Sequence, residues 1–104
     1  MDNDARADEI LKALANPLRR QILHWLKDPE THFEGHQQCV PLKDGVCVSK
    51  ICDKAGVSQS TISAYLAILQ RAGLVKSFRT GAWTLYKRDE DMVEKFLDCL
   101  RENL

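Results

Sequence analysis

The sequence predicts a mainly α domain with one small β-hairpin, in the order α-α-α-α-β-β-α, and three observations predict it. Five segments carry apolar residues at helical spacing, clearest where they fall at i, i+3, i+4 and i+7. Residues 74–88 are instead rich in Val, Phe, Trp, Thr, Leu and Tyr around Thr80-Gly81, the composition of two strands and a tight turn. At 104 residues, without repeats or low-complexity tracts, residues 1–104 form one domain near the small end for burying its own core.

The first helix, 4–15, puts Ala7, Ile10, Leu11 and Leu14 on one face. Asn16-Pro17 ends it and starts another, with Asn16 as N-cap and Pro17 at the first helical position. That second helix, Pro17 to about Lys27, buries Leu18, Ile22, Leu23, Trp25 and Leu26; His24 within it reads as structural. Arg19 and Arg20 lie near its positive end, where the macrodipole disfavours them slightly, and they read as a solvated face. Residues 28–45 read as a long loop, because Pro29, Gly35, Pro41 and Gly45 interrupt any period, and loops of this length are usually functional or mobile. Within it, His32, His36 and Cys39 are spaced H-x3-H-x2-C, but Gly35 sits inside the pattern and a solvated loop is the better reading.

The chain is organised around residues 48–73. Val48, Ile51, Cys52 and Ala55 share one helical face, Gly56 stands where a left-handed C′ residue is wanted, and Ser58 can cap the next helix. Val57 and Ile62 are spaced as a hydrophobic staple around that cap. The following helix buries Ile62, Tyr65, Leu66 and Leu69 and stops at Gly73. Its other face is Gln59, Ser60, Thr61, Ser63, Ala64, Ala67, Gln70 and Arg71, small, polar and free of acid, so it can approach a phosphate-lined groove. Ser and Thr are poor interior helix formers, and three in four positions need a reason. This is a helix-turn-helix with the second helix as reader. The hairpin of about 74–88 that follows, with Arg79 at its tip and Lys76, Lys87 and Arg88 nearer its base, is the wing of a winged helix. The last helix, about 89–103, opens on Asp89, Glu90 and Asp91, which suit a helix N-terminus. It carries Met92, Val93, Phe96, Leu97, Cys99, Leu100 and Leu104, more than the one stripe needed for docking. With helix 4–15 it therefore makes a dimer interface.

Formal net charge is zero, yet residues 43–88 hold eight Lys/Arg against two acids, a local +6 that the acidic ends cancel. Only that middle need face DNA. A winged-helix protein–protein module is the competing class; the local charge and the acid-free reader face argue against it. An enzyme is argued against by the lack of C-x-x-C, of a Gly-rich phosphate loop and of a His placed to serve a Cys nucleophile. No apolar run approaches membrane-spanning length, and Asp2, Asp4 and Asp8 replace the basic start of a signal peptide. The expectation is a cytoplasmic protein, where four cysteines are thiols, metal ligands or sensors rather than structural disulfides.

The phrases LKALANPLRRQIL, S-Q-S-T-I-S-A-Y-L, LQRAGLV and G-A-W-T-L-Y, in that order over nearly the whole chain, resemble the ArsR/SmtB family of small winged-helix repressors. The resemblance implies a cytosolic homodimer that binds an inverted-repeat operator in double-stranded DNA and is released by an effector. Carried over by position, Gln59, Ser60, Thr61 and Ser63 face the major groove, where Gln can pair with adenine and Ser or Thr with several base edges. Tyr65 joins them less securely, since its spacing also fits the core and the family more often has His there. Arg79 reaches the minor groove or backbone from the wing, and Lys50, Arg71 and Lys76 contact phosphate.

Family members sense through different sites. The zinc site of the last helix needs His, and residues 89–104 contain none. The arsenic-type C-V-C-x-x-C run survives as Cys47-Val48-Ser49-Lys50-Ile51-Cys52, with Ser at the middle position. Arsenite, antimonite or a soft metal ion as effector favours thiolates, and Cys39 is the candidate third. Cys52 and Cys99 fall on apolar faces, where a buried Cys behaves as a small hydrophobe. Cys47 precedes a helix N-terminus near Lys43 and Lys50, which favours a thiolate. It is the first candidate for metalloid binding, or for oxidation with Cys39 or Cys52 as partner. The alternative is a regulator whose cysteines are structural only.

Overall fold

The structure, a computed structural model, describes residues 4–34, 38 and 40–104, of which residues 4 and 5 are described by backbone alone. Its helices are α1 (Asp4–Leu14), α2 (Pro17–Lys27), α3 (Pro29–His32), α4 (Val48–Ala55), α5 (Gln59–Arg71) and α6 (Glu90–Asn103); its strands are β1 (Val46–Cys47), β2 (Val75–Thr80) and β3 (Trp83–Arg88).

Asn16 caps α2 as its sequence position demands: its Oδ1 accepts from the Leu18 and Arg19 backbone N–H groups at 2.9 and 3.0 Å. Arg19 and Arg20 are not merely a solvated face. Arg19 Nε and Nη2 donate to the carbonyls of Ala13 (2.6 Å) and Lys12 (3.1 Å), and Arg20 Nη1 donates to Leu14 O (2.7 Å). These are final-turn carbonyls of α1, which carry its negative dipole end; that of Lys12 also accepts from Ala15 N at 3.2 Å. Two cations on the next helix therefore close α1, which bends the chain into a tight α1–α2 corner.

The described residues of the 28–45 stretch are more structured than the expected loop. Pro29 starts one turn of helix, α3, and delivers Phe33 into the core at 0 % exposure, edge-on to Trp25 with centroids 6.3 Å apart. One turn is too short to display a period, so neither α3 nor Phe33 was legible. His24 is exposed, its ring 4.9 Å from that of His32. After a 3-10 turn, Leu42–Asp44, β1 pairs antiparallel with β3, Val46 opposite Tyr86 and Cys47 opposite Leu85. The lone hairpin of the sequence reading is thus a three-stranded sheet in the order β1-β3-β2. The Gln38 side chain continues the ladder: Nε2 donates to Val40 O (3.0 Å) and Gly45 O (2.8 Å), and Oε1 accepts from Cys47 N (3.1 Å).

The helix-turn-helix forms as the sequence directs. Gly56 takes the left-handed conformation at φ 71° and donates to Cys52 O at 2.8 Å. Ser58 Oγ accepts from Thr61 N at 3.3 Å and starts α5. Val57 is 37 % exposed, so the staple to Ile62 contributes little. The far end of α5 closes with Gly73 N donating to Gln70 O (2.9 Å) and Leu74 N to Leu69 O (3.0 Å), the paired bonds of a Schellman motif, with Leu69 and Leu74 both buried. Ser58→Ala is expected to destabilise the protein by about 1 kcal/mol, a thermal midpoint lower by about 4 °C or more in a scanning calorimeter.

The core lies where α5 crosses α1, α2, α4 and the sheet. Ile10, Ile22, Ile51, Ile62, Leu66 and Leu69 are each 0 % exposed, and full burial of such a side chain stabilises by about 2 kcal/mol. Asp89 begins α6, its Oδ1 accepting from Met92 N at 3.0 Å, and its own N–H ties that start to Leu74 O at 2.9 Å. Val93 and Phe96 bury one stripe of α6, while Leu97 stays 42 % exposed and Leu11 of neighbouring α1 46 %. Among the described residues no helix is long and apolar enough to cross a membrane.

Candidate nucleic-acid interface

α5 holds its apolar row inward through Ile62, Leu66 and Leu69 and presents Gln59, Ser60, Ser63, Ala64, Ala67, Gln70 and Arg71 to solvent. Two kinds of side chain make up this face. The hydroxyls of Ser60 and Thr61 lie 3.1 and 3.0 Å from Ser58 Oγ, so the cap also orients them, and Thr61 is half-buried. The side chains of Gln59 and Ser63 make no hydrogen bond to any described group, leaving their donors and acceptors for a base edge. No acidic side chain stands in the first turn of α5. Its positive dipole end is unopposed from within the helix.

The structure draws Tyr65 another way. Its hydroxyl accepts from Asn16 Nδ2 at 3.3 Å, and the Arg19 guanidinium lies 5.1 Å from its ring centroid. It faces the α1–α2 corner rather than joining Gln59 and Ser63.

Beside α5 the wing carries Lys76 and Arg79 on β2, both exposed, with Lys76 directly opposite Lys87 on β3. Trp83 and Phe78 are 44 % and 38 % exposed on the Lys76 face of the hairpin. The basic middle is less free than its sum suggests. Arg88 forms a bidentate pair with Glu90, Nε to Oε2 at 2.9 Å and Nη2 to Oε1 at 3.0 Å. Lys54 stands over Trp25 and Phe33, 5.2 and 5.9 Å from their centroids. What remains for phosphate is Lys50, half-buried on α4, with exposed Lys43, Arg71, Lys76, Arg79 and Lys87, and of these Lys50, Arg71, Lys76 and Arg79 are the candidates named from the sequence. Sequence counting could not see the Arg88–Glu90 pair, because it joins a strand end to the next helix and follows no period.

The two described candidate sensor cysteines differ in burial. Cys47 is 4 % exposed at the N-cap of α4, and Cys52 lies half-buried one turn on. Burial, and then the neighbouring Asp53 carboxylate, push the Cys52 thiol above its ordinary pKa, which depletes the thiolate that binds metals. Cys99 is half-buried on α6. Cys39 and His36 lie outside the described residues. Among the described residues no three His, Cys, Asp or Glu side chains are grouped to hold a metal ion.

A family model described as a bacterial regulatory protein of the arsR family matches residues 44–77, from the 3-10 turn into β2. The chain is 50 % identical over 96 residues to an uncharacterized HTH-type transcriptional regulator, YbzH of Bacillus subtilis, covering 92 % of this chain and 96 % of that protein. The chain belongs to the ArsR family. Its likeness extends to the transcriptional activator HlyU of Vibrio cholerae, 30 % identical over 98 residues, with 94 % of this chain and 77 % of that one covered. Among solved structures it resembles the homodimeric winged helix-turn-helix DNA-binding domain Mb0332 of Mycobacterium bovis, at a TM-score of 0.64 and 27 % identity. That match covers 99 % of this chain and 86 % of the other. This ArsR-family protein is a DNA-binding transcriptional regulator with a winged helix-turn-helix fold, and not an enzyme.

Proposed function

We propose that this ArsR-family regulator is a homodimeric repressor that binds an inverted-repeat operator and is released by a thiol-reactive signal. The acid-free face of α5, with Gln59 and Ser63 unengaged and Arg71, Lys76 and Arg79 exposed beside it, carries the DNA half. Gln59, Ser60, Thr61 and Ser63 read base edges; Lys50, Arg71 and Lys76 hold phosphates; Arg79 enters the flanking minor groove. Leu11 and Leu97, exposed on adjacent helices, support a two-fold interface, and Mb0332 is described as homodimeric. A two-fold dimer places its reader helices on half-sites about 34 Å apart, which is why the operator repeats inversely. Occupying a promoter in this way excludes the polymerase. HlyU is named an activator, so a reporter gene reads the sign directly.

Cys47 supports the sensing half because it joins β1 to α4 and is 4 % exposed, its N–H held by Gln38. Because that thiol is buried at the N-cap of α4, we propose that an arsenite, antimonite or soft-metal adduct there, or a disulfide to Cys52 or Cys39, displaces the first turn of α4. That helix supports the reader. The raised Cys52 pKa favours a second reading, in which the cysteines only pack and nothing is sensed.

Gel retardation on DNA upstream of the protein's own gene separates these. Specific retention is expected, weakening as salt rises, abolished by arsenite or peroxide in the native protein and resistant to both in Cys47→Ser. Retention on no nearby promoter overturns the DNA half; retention indifferent to thiol reagents establishes the packing reading. Leu97→Asp is expected to yield monomers by light scattering and to weaken operator binding at least about tenfold, since burying an unpaired carboxylate at an apolar interface costs more than 1.4 kcal/mol.

A further inference from the structure

The reader helix is tied to the rest of the molecule by polar contacts as well as by its apolar row, and among the described residues these side-chain contacts run to the α1–α2 corner and to the start of α1. Asn16 does two things with one amide: Oδ1 caps α2, and Nδ2 donates to the Tyr65 hydroxyl at 3.3 Å. Arg19 likewise does two things with one guanidinium, donating to Ala13 and Lys12 carbonyls at 2.6 and 3.1 Å while lying 5.1 Å over the Tyr65 ring. At the other end of α1, Arg6 Nη1 donates to Arg71 O at 3.4 Å, on the last residue of α5. Both ends of α1 are therefore fastened to α5, and α1 is the helix whose Leu11 is 46 % exposed.

We infer that Tyr65 is a positioning residue for DNA recognition: it touches no base, and sets the angle of α5 against the α1–α2 corner. The inference rests on α5 being the helix that enters the major groove. Ile62, Leu66 and Leu69 are the fully buried row, with Ile68 half-buried beside it, and such a row fixes how deeply a helix sits better than how it is rolled about that row. Tyr65 lies to one side of that row, and its phenol, held by Asn16 and covered by Arg19, opposes roll. Base reading tolerates little misplacement, so a freed roll weakens every base contact together without removing any of them. Because Asn16 and Arg19 also shape the end of α1, a shift of α1 at the subunit interface would be transmitted to the reader helix through the same three side chains.

The test uses the full chain, fluorescence anisotropy on the operator fragment, and active protein counted by stoichiometric titration so that unfolded material does not register as weak binding. Tyr65→Phe keeps the ring under Arg19 and removes only the hydroxyl. Operator affinity is expected to fall about three- to tenfold, the size of one net hydrogen bond. The salt slope and the ranking of single-base operator variants should stay as in the native protein. Asn16→Ser keeps an N-cap of equal rank but is too short to reach Tyr65. It should lose the same amount, and the double variant no more than either single one. An altered ranking of operator variants in Tyr65→Phe makes Tyr65 a base reader and overturns the inference. So does native affinity in Tyr65→Phe, or losses that add in the double variant. A native protein that shows no operator preference would instead overturn the reading of α5 on which this rests.

Discussion

Replacing Gln59 and Ser63 together with alanine is expected to abolish specific operator binding and leave the fold unchanged. Both side chains are exposed, and neither bonds to a described group, so truncation strands no partner. Alanine is also the better helix former at both positions. A well-made Gln–adenine pair discriminates by about 1–3 kcal/mol, and a Ser contact adds less, so the double variant loses on the order of a hundredfold in affinity for the operator. Lys50, Arg71, Lys76 and Arg79 are untouched, and they continue to hold DNA of any sequence. Anisotropy on operator and scrambled duplexes should therefore converge on one weak curve, with the salt slope of the native protein. Discrimination that persists in the double variant would move recognition off these two residues. Ser60 and Thr61 are a poorer choice for this experiment, because their hydroxyls also meet Ser58 at the cap and their loss mixes stability with recognition.

Why those residues could be named from sequence, and others could not, follows from how each kind of information is stored. The helix-turn-helix is written in local grammar: Gly56 for the left-handed turn, Ser58 for the cap, an apolar row at helical spacing, Gly73 to stop. Each signal acts within four residues of where it sits, and each appears in the structure in place. The described parts of the 28–47 segment store their order differently. α3 is a single turn and β1 two residues, too short for any period, and the Gln38 bonds that substitute for a strand depend on a side chain reaching seven and nine residues ahead. The basic middle shows the same limit. Its composition is right, but Arg88 is neutralised by Glu90 from outside the window and Lys54 is turned onto aromatic rings. The Cys47 and Cys52 spacing was legible as a remnant of a ligand motif; that one is buried in the strand-to-helix joint and the other has a raised pKa was not.

Gly45→Ala is expected to be among the most destabilising single substitutions in the chain, by about 2–5 kcal/mol from backbone strain and overpacking together. Gly45 has φ 131° and ψ 163°, a region that L-residues with a Cβ scarcely enter. A Cβ there would also meet Leu85 Cβ at 2.8 Å and Phe78 Cζ at 3.3 Å. Leu85 cannot yield: it is 1 % exposed on β3, the central strand, paired to Cys47 on one side and Phe78 on the other. Relief must come from the chain that carries residue 45, which lifts β1 from the sheet and uncovers Cys47. Two readouts follow from that one movement. The urea midpoint should drop, and Cys47 should be alkylated faster than in the native protein, as judged by mass after limited iodoacetamide treatment. Gly56→Ala is the control, since its φ of 71° also disfavours alanine but nothing lies within 4 Å of the added Cβ. It should cost only the left-handed penalty of about 1–2 kcal/mol and leave Cys47 protected. Equal losses in the two variants, with Cys47 equally protected, would mean that the 38–47 segment is not what covers the thiol. Under the proposed thiol sensing, the same displacement bears on regulation, since an adduct on Cys47 would act at the joint that Gly45→Ala strains from the other side.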